Sequence, residues 1–385
     1  MNSFANLTPL LKRFVENGPS GCSCSVVHKG EKAYEEYFGY ADIETKTPVT
    51  PDTLFRIFSM TKPITCTAAL ILYERGLYYL NDPLYEYLPE FKNLMVYRTS
   101  PNGEISASPA LSHIRIRDLF TMTSGITYNG NDTLTGRQVE EKYKELAASG
   151  TKFTIRDVSK ILASIPLCFD PGTHWRYGMS HDILAAFVEV VSGKKFSQFL
   201  QDEIFSPLGM KNTFHRVPED KKKHLCSSYY RHEDGAMQKS TDMDFLIHPD
   251  DIYDGGGSGL LSTLGDYHRF IQMLCNNGEL DGVRILGRKT IDLMATNHLT
   301  DQQLTDYSWS HHAGYGYGLG VRVMIDTAKG GCNGNLGEFG WSGMLGTWMM
   351  IDRKEDLTVT YMQQLQPSLE ELHAPRLRSV IYGSL

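Results

Sequence analysis

The sequence predicts an α/β domain built from the two ends of the chain, carrying a mostly helical insert. Three observations point there. Strand-like runs lie near both ends, first over 20–45 and again after about 310. Between them, from about 110 to 215, the chain reads as helices closed by glycine or proline–glycine punctuation. No long linker, internal repeat or low-complexity segment separates these parts. The economical partition assigns 1–75 plus 250–385 to the α/β domain and 76–249 to the helical one. A site is then expected in the cleft between them.

The elements follow in order. MNSFANLTPLLKRFVENG has the spacing of a short amphipathic helix and lacks the continuous apolar stretch of a signal peptide. GCSCSVVH and AYEEYFGYA form a hairpin around KGEK, with Cys22 and Cys24 on one face of the first strand. TPVTPDTLF is loop. ITCTAALILYERG is apolar at helical spacing and stops at Arg75-Gly76, where glycine supplies the cap. The segments IRIRDLFTMTSG, FTIRDVSKILASIPL, SHDILAAFVEVVSG and FSQFLQDEIFSPLG read as helices. DTLTGRQVEEKYKELAASG is a charged helix facing solvent. Later, DGGGSGLLST is a loop and LGDYHRFIQMLCNNG a helix. GYGYGLGVRVMID, GEFGWSGMLGTWMMID and LTVTYMQQ read as three consecutive strands.

Composition narrows the function. The 385 residues are 41% hydrophobic and 22% charged, an ordinary soluble balance. A net charge of -7 without a basic stripe excludes a nucleic-acid partner. The short run Lys221–Lys223 is a solvated loop. No segment reaches the length of a membrane helix, so no membrane partner and a cytoplasmic location are expected. Seven cysteines, irregularly spaced and without a C-x-x-C pair, suit free thiols in a reducing compartment. Oligomeric state is not legible.

The stretch IFSMTKP carries the chemistry. It places Ser59 and Lys62 three residues apart, neighbours on one helical face. A serine hydroxyl becomes a nucleophile when a base takes its proton. Lysine serves only when neutral, so burial against the apolar helix is expected to lower its pKa. The plain alternative is an exposed lysine beside a capping serine. Two further segments favour chemistry. Tyr177 stands just before a helix in PGTHWRYGMSHDIL, and Trp341-Ser342-Gly343 stands at a strand edge. A serine, a Lys–Tyr proton pair and an edge-strand backbone make a complete acyl-transfer site.

Other candidates carry less. His311-His312 suggests a metal, but no third ligand has sensible spacing, and a loop pair near glycines reads as surface. His174 and His181 flank Tyr177, and a hydrogen-bonded structural role suits them equally. Asp254–Gly259 is glycine-rich without the G-K-[ST] of a phosphate loop, and it borders the expected cleft.

In motif order the sequence resembles the serine β-lactamase and penicillin-binding-protein superfamily. Within it, the chain is most similar to class C-type β-lactamases and family VIII carboxylesterases. LFTMTSGI, FSPLGMKNTF, DGGGSGLLST and GYGYGLGV strengthen the likeness, which spans about 10–380. The resemblance implies a β-lactamase/transpeptidase-like α+β fold, an antiparallel sheet flanked by helices with a mostly helical insert domain. It implies Ser59 as nucleophile and Lys62 as base, or as sharing a proton with Tyr177. The backbone N–H groups of Ser59 and Met344 would form the oxyanion hole. Trp341, Ser342, Gly343, Tyr128 and Tyr315 would bind substrate, and no metal or organic cofactor is implied.

Two departures shape the expected substrate. Tyr177-Gly178-Met179 lacks the asparagine of Y-x-N, and Trp341-Ser342-Gly343 replaces K-T-G. An indole in place of a cation removes attraction for carboxylates and adds aromatic surface. The reading is a carboxylesterase acting on a small-molecule ester or amide. β-Lactamase, D-peptidase, D-amino-acid amidase and acyltransferase remain rivals on the same fold. A non-catalytic penicillin-binding-like scaffold is the rival of a different class.

Overall fold

The computed structural model describes residues 4–242 and 252–385. The domain boundary expected near 249–250 lies outside the described residues. Helix α1, Leu7–Asn17, buries Leu7, Leu10, Leu11 and Phe14, the i, i+3, i+4, i+7 stripe of an amphipathic helix. Strands β1 (Gly21–His28) and β2 (Glu31–Asp42) form the expected hairpin, and β3 (Thr47–Pro48) extends it. Helix α2, Thr61–Glu74, is buried continuously from Thr61 to Leu72 and lies in the main core. Ser59 is not on that helix. It sits on the single 3-10 turn Phe58–Met60 that precedes it.

After α2 come two 3-10 turns, Leu84–Glu86 and Pro89–Phe91, and a hairpin, Met95–Thr99 against Ile105–Pro109. Helices α3 (Ile116–Phe120), α4 (Leu134–Ser149), α5 (Ile155–Ala163) and α6 (Ser180–Ser192) follow. α4 buries only Thr135, Gly136 and Val139, as its charged sequence requires. The Lys221–Lys223 run lies on an exposed turn.

Further along the chain, helix α7 spans Leu264–Cys275. The three expected C-terminal strands are in fact five: β4 (Tyr315–Tyr317), β5 (Arg322–Met324), β6 (Phe339–Ser342), β7 (Trp348–Asp352) and β8 (Leu357–Gln363). Gly320 and Gly346 adopt positive φ of 82° and 90°, folding each long run back on itself as a hairpin. Helix α8, Glu370–Tyr382, closes the described chain, with Pro375 inside it.

The sheet runs in the order β4-β5-β6-β7-β8-β1-β2-β3, every pair antiparallel. The chain ends meet at its centre, where Val26 pairs with Val359. Alternate residues feed opposite faces. Trp348, Met350, Val359, Tyr361, Cys22 and Cys24 pack with α1 and α8. Met349, Ile351 and Met362 join the core that contains α2, α6 and α7. On that second face Thr358 and Thr360 meet the two ring nitrogens of His268, at 3.0 and 3.2 Å. All seven cysteines are unpaired. Among the described residues no helix is long and apolar enough to cross a membrane.

Candidate active site

The 3-10 turn that carries Ser59 is held from three sides. Tyr267 of α7 donates to the Met60 carbonyl at 2.8 Å. The Ile57 amide donates to Leu260, and the Leu260 amide to the Thr61 hydroxyl. Thr347, on the loop between β6 and β7, donates to the Ile57 carbonyl at 3.3 Å. Phe58, just before the serine, has φ 42°, a left-handed conformation that costs a bulky residue about 1 kcal/mol or more. The surrounding bonds hold that strain in place.

Lys62, on the first turn of α2, is 0% exposed. Its ammonium donates to Ser59 Oγ at 3.1 Å, to the Tyr128 hydroxyl at 2.9 Å and to the Gly257 carbonyl at 2.6 Å. Three donors thus meet three acceptors. The Tyr177 ring centroid lies 4.6 Å from the same nitrogen. Burial alone would lower the lysine pKa, but attraction to Tyr128 and Tyr177 outweighs it and the net shift is upward. The expectation of a lysine made neutral by desolvation is therefore corrected. The resting site holds an ammonium because the cavity supplies hydrogen-bond acceptors as well as apolar walls.

Tyr177 accepts a hydrogen bond from the Trp341 indole N–H at 3.2 Å. That contact joins the tyrosine motif to the end of β6, which is not the edge strand expected from the sequence but an inner strand paired with β5 and β7. Ser342 ends the strand and Gly343 follows it. A Cβ on Gly343 would fall 2.4 Å from the Ile57 carbonyl, so only glycine lets this backbone approach the serine turn. The next N–H, that of Met344, donates to no acceptor among the described residues. Phe58, Ser59, Tyr177, Trp341 and Met344 all line one cleft of 840 Å³.

The glycine-rich loop borders this cleft, as expected. Asp182 of α6 accepts from the Gly257 amide at 3.1 Å and from the Tyr253 hydroxyl at 2.7 Å. Thr65 of α2 donates to the Gly256 carbonyl at 2.7 Å. The loop is thereby clamped with the Gly257 carbonyl facing Lys62. A Cβ on Gly257 would lie 2.5 Å from the Asp182 carboxylate. Burial raises the Asp182 pKa, with Tyr253, Lys62 and the loop amides opposing the rise.

The substrate-pocket expectations divide. Tyr128, Trp341, Ser342 and Gly343 line the cleft. Tyr128 does more than line it, because its hydroxyl is a direct partner of Lys62. Tyr315 does not line it. It is buried in β4 with its hydroxyl 3.2 Å from Glu338, which its glycine-rich surroundings did not reveal. His181 is a core residue, 3.1 Å from the Phe120 carbonyl, its pKa lowered to about 3 by burial and by Lys62. His174 is exposed and bonds Asp306.

Sequence reasoning missed several residues here. Trp309 stands 5.2 Å from the Tyr177 ring and 6.4 Å from Trp341, walling the cleft with aromatic surface. A tryptophan inside the polar run DYSWSHH was the available signal. His311 and His312, read as a surface pair, line the same cleft, as do Glu370 and Glu371 of α8. Burial, with Arg322 and the neighbouring His311, holds the His312 pKa well below the usual histidine range.

Comparison with known proteins places the chain in a family. The family pattern described as Beta-lactamase matches residues 8–381. Protein Rv1367c of Mycobacterium tuberculosis (strain ATCC 25618 / H37Rv) is 33% identical, over 86% of this chain and 82% of its own length. Esterase EstB of Burkholderia gladioli is 27% identical, over 94% of this chain and 91% of its own. The solved structure of EstCE1, a hydrolase with promiscuous acyltransferase activity, superposes with a TM-score of 0.82 at 21% identity, covering 99% of this chain and 98% of that one. Matched along nearly its whole length, and one-third identical to a relative across most of both chains, this protein belongs to the beta-lactamase family.

Proposed function

We propose that this protein hydrolyses carboxylic esters through an acyl-enzyme on Ser59. The observation that carries the reading is the Lys62 ammonium, 3.1 Å from Ser59 Oγ in a site walled by Tyr128, Tyr177, Trp309 and Trp341. The aromatic walls suit an uncharged acyl group, and the third motif offers no lysine to a substrate carboxylate. The likeness to Esterase EstB supports the same choice.

The proton bookkeeping follows from Lys62. As an ammonium it cannot accept the Ser59 proton. The reactive form of the site has lost one proton from the Lys62–Tyr177 pair, and with the charge kept on lysine the acceptor is the Tyr177 oxygen. Ser59 Oγ attacks the ester carbon while its proton passes to Tyr177. The N–H groups of Ser59 and Met344 hold the oxyanion, each worth about 3–4 kcal/mol in the barrier. Tyr177 then returns the proton to the departing alkoxide. Water repeats the sequence on the acyl-enzyme and releases the acid.

The test is hydrolysis of p-nitrophenyl butyrate by the wild type beside Ser59→Ala. Turnover confined to the wild type, with fluorophosphonate labelling confined to it as well, is the expected result. Equal rates in both proteins would remove Ser59 from the chemistry. A second reading, acyl transfer to an alcohol other than water, draws on the acyltransferase activity named for EstCE1. It predicts a transfer product that grows with added alcohol while release of p-nitrophenol stays coupled to Ser59.

A further inference from the structure

The cleft contains a second cluster that the ester chemistry does not use. His311 and His312 lie on a short 3-10 turn, Ser310–His312, and Glu370 is the first residue of α8. The sequence separates the pair from Glu370 by almost sixty residues, which hid the third member. In the fold, one donor atom from each of the three side chains lies within 4.8 Å of the others.

His312 is built for a ligand. It is 3% exposed, and its Nδ1 lies 2.8 Å from the Tyr307 hydroxyl. That contact leaves Nε2 as the free nitrogen, and Nε2 is buried without a hydrogen-bond partner among the described residues. A buried polar atom left unpaired costs about 1–3 kcal/mol, so its persistence calls for an occupant. One ring nitrogen fixed by a hydrogen bond and the other free is the arrangement of a metal-binding imidazole. The His311 ring packs beside it at 4.3 Å between centroids, and Glu371 brings a second carboxylate to 3.4 Å from His311 Nδ1. Of the two nearby guanidiniums, Arg378 is neutralised by Glu338 at 3.0 Å, whereas Arg322 donates to the Met349 carbonyl.

We propose that His311, His312 and Glu370 bind a divalent transition-metal ion of the zinc class at the wall of the cleft. Two imidazoles and a carboxylate are a donor set for zinc rather than for calcium or magnesium, which prefer oxygen. Bonds of about 2.1 Å in a tetrahedral site set ligand atoms roughly 3.4 Å apart. Closing from 4.8 Å needs rotation of the partly exposed His311 and Glu370 side chains, while His312 stays fixed. Three protein ligands leave one position open toward the cleft, where water or a ligand carboxylate completes the shell.

The experiment is calorimetric titration of the metal-stripped protein with Zn²⁺, and with Co²⁺ followed by its visible absorption. One equivalent is expected to bind, with Mg²⁺ and Ca²⁺ giving no heat. His312→Ala should abolish the cobalt band, and Glu370→Gln, which keeps shape and removes charge, should weaken binding at least tenfold. Ser59→Ala should bind like the wild type, so this result stands apart from the ester reading. Unchanged zinc binding in Glu370→Gln, or a cobalt spectrum unaltered by His312→Ala in a folded protein, would overturn the assignment.

Discussion

Lys62 Nζ and the Gly257 carbonyl oxygen are 2.6 Å apart, although 195 residues separate them in the chain. In the proposed mechanism, the contact makes the glycine-rich loop part of the proton-handling group. The loop in turn is set by Asp182, which grips the Gly257 amide.

Asp182 is therefore a positioning residue for Lys62. Asp182→Asn should lower kcat roughly ten- to a hundredfold, the worth of a charged hydrogen bond, with KM little changed. The pH–rate profile should move with it, because the acceptor set around Lys62 changes. A variant that kept the wild-type kcat and profile would show that the loop holds itself.

The pH dependence of the wild type has a definite sign. Lys62 is raised above its ordinary value, the pull of Tyr128 and Tyr177 exceeding the penalty of burial. The reactive form has lost one proton from the Lys62–Tyr177 pair, and Lys62 holds its proton above the ordinary lysine value of about 10.4, so kcat/KM should climb from neutral pH and still be rising at about pH 10, the basic limb of a general-base reaction. Rates measured against Ser59→Ala blanks would decide it. A flat profile would mean that the acceptor is already free of its proton in that range.

Gly343→Ala tests the proposed oxyanion hole. The added methyl group meets the Ile57 carbonyl and the Thr347 hydroxyl, so the end of β6 must retreat from the serine turn. Turnover should fall by about a hundredfold or more as the Met344 N–H is displaced. Circular dichroism should show the sheet intact. Full activity in the variant would place the oxyanion donor elsewhere.

Stability should fall in acid for a reason seated in buried histidines. His181 and His268 are buried, and burial lowers each pKa to about 3. The unfolded chain binds a proton at each near pH 6.5, whereas the folded protein does not until near pH 3. Stability is thus full above 6.5 and is lost as pH drops through that window. Urea midpoints should decline from about pH 6.5 down toward pH 3, and His268→Gln should flatten the decline. An unaltered slope in that variant would clear His268 of the effect.

Much of this was legible from local pattern. The stripe of α1, the β1–β2 hairpin, the buried run of α2 and the charged face of α4 all follow from spacing within one element. What spacing could not show is what meets what. Tyr128 reads as pocket lining because its partner, Lys62, is 66 residues earlier. Tyr315 reads the same way, and the buried Glu338 that claims its hydroxyl is invisible in GYGYG. Lys62 reads as neutral because an apolar helix announces desolvation but not the acceptors that Gly257, Ser59 and Tyr128 bring. Pro375 interrupts the pattern of α8, and with that helix went Glu370.

The pairing of Val26 with Val359 orders events during synthesis. A ribosome delivers the Ser59 turn long before the central strand β8, and before β6 with Trp341 and the Met344 that follows it. Contacts this remote in sequence close slowly and late. A nascent or prematurely terminated chain therefore carries a serine and a lysine without the groove that would let them act. The proposed acyl chemistry therefore waits until β6 and β8 have been made.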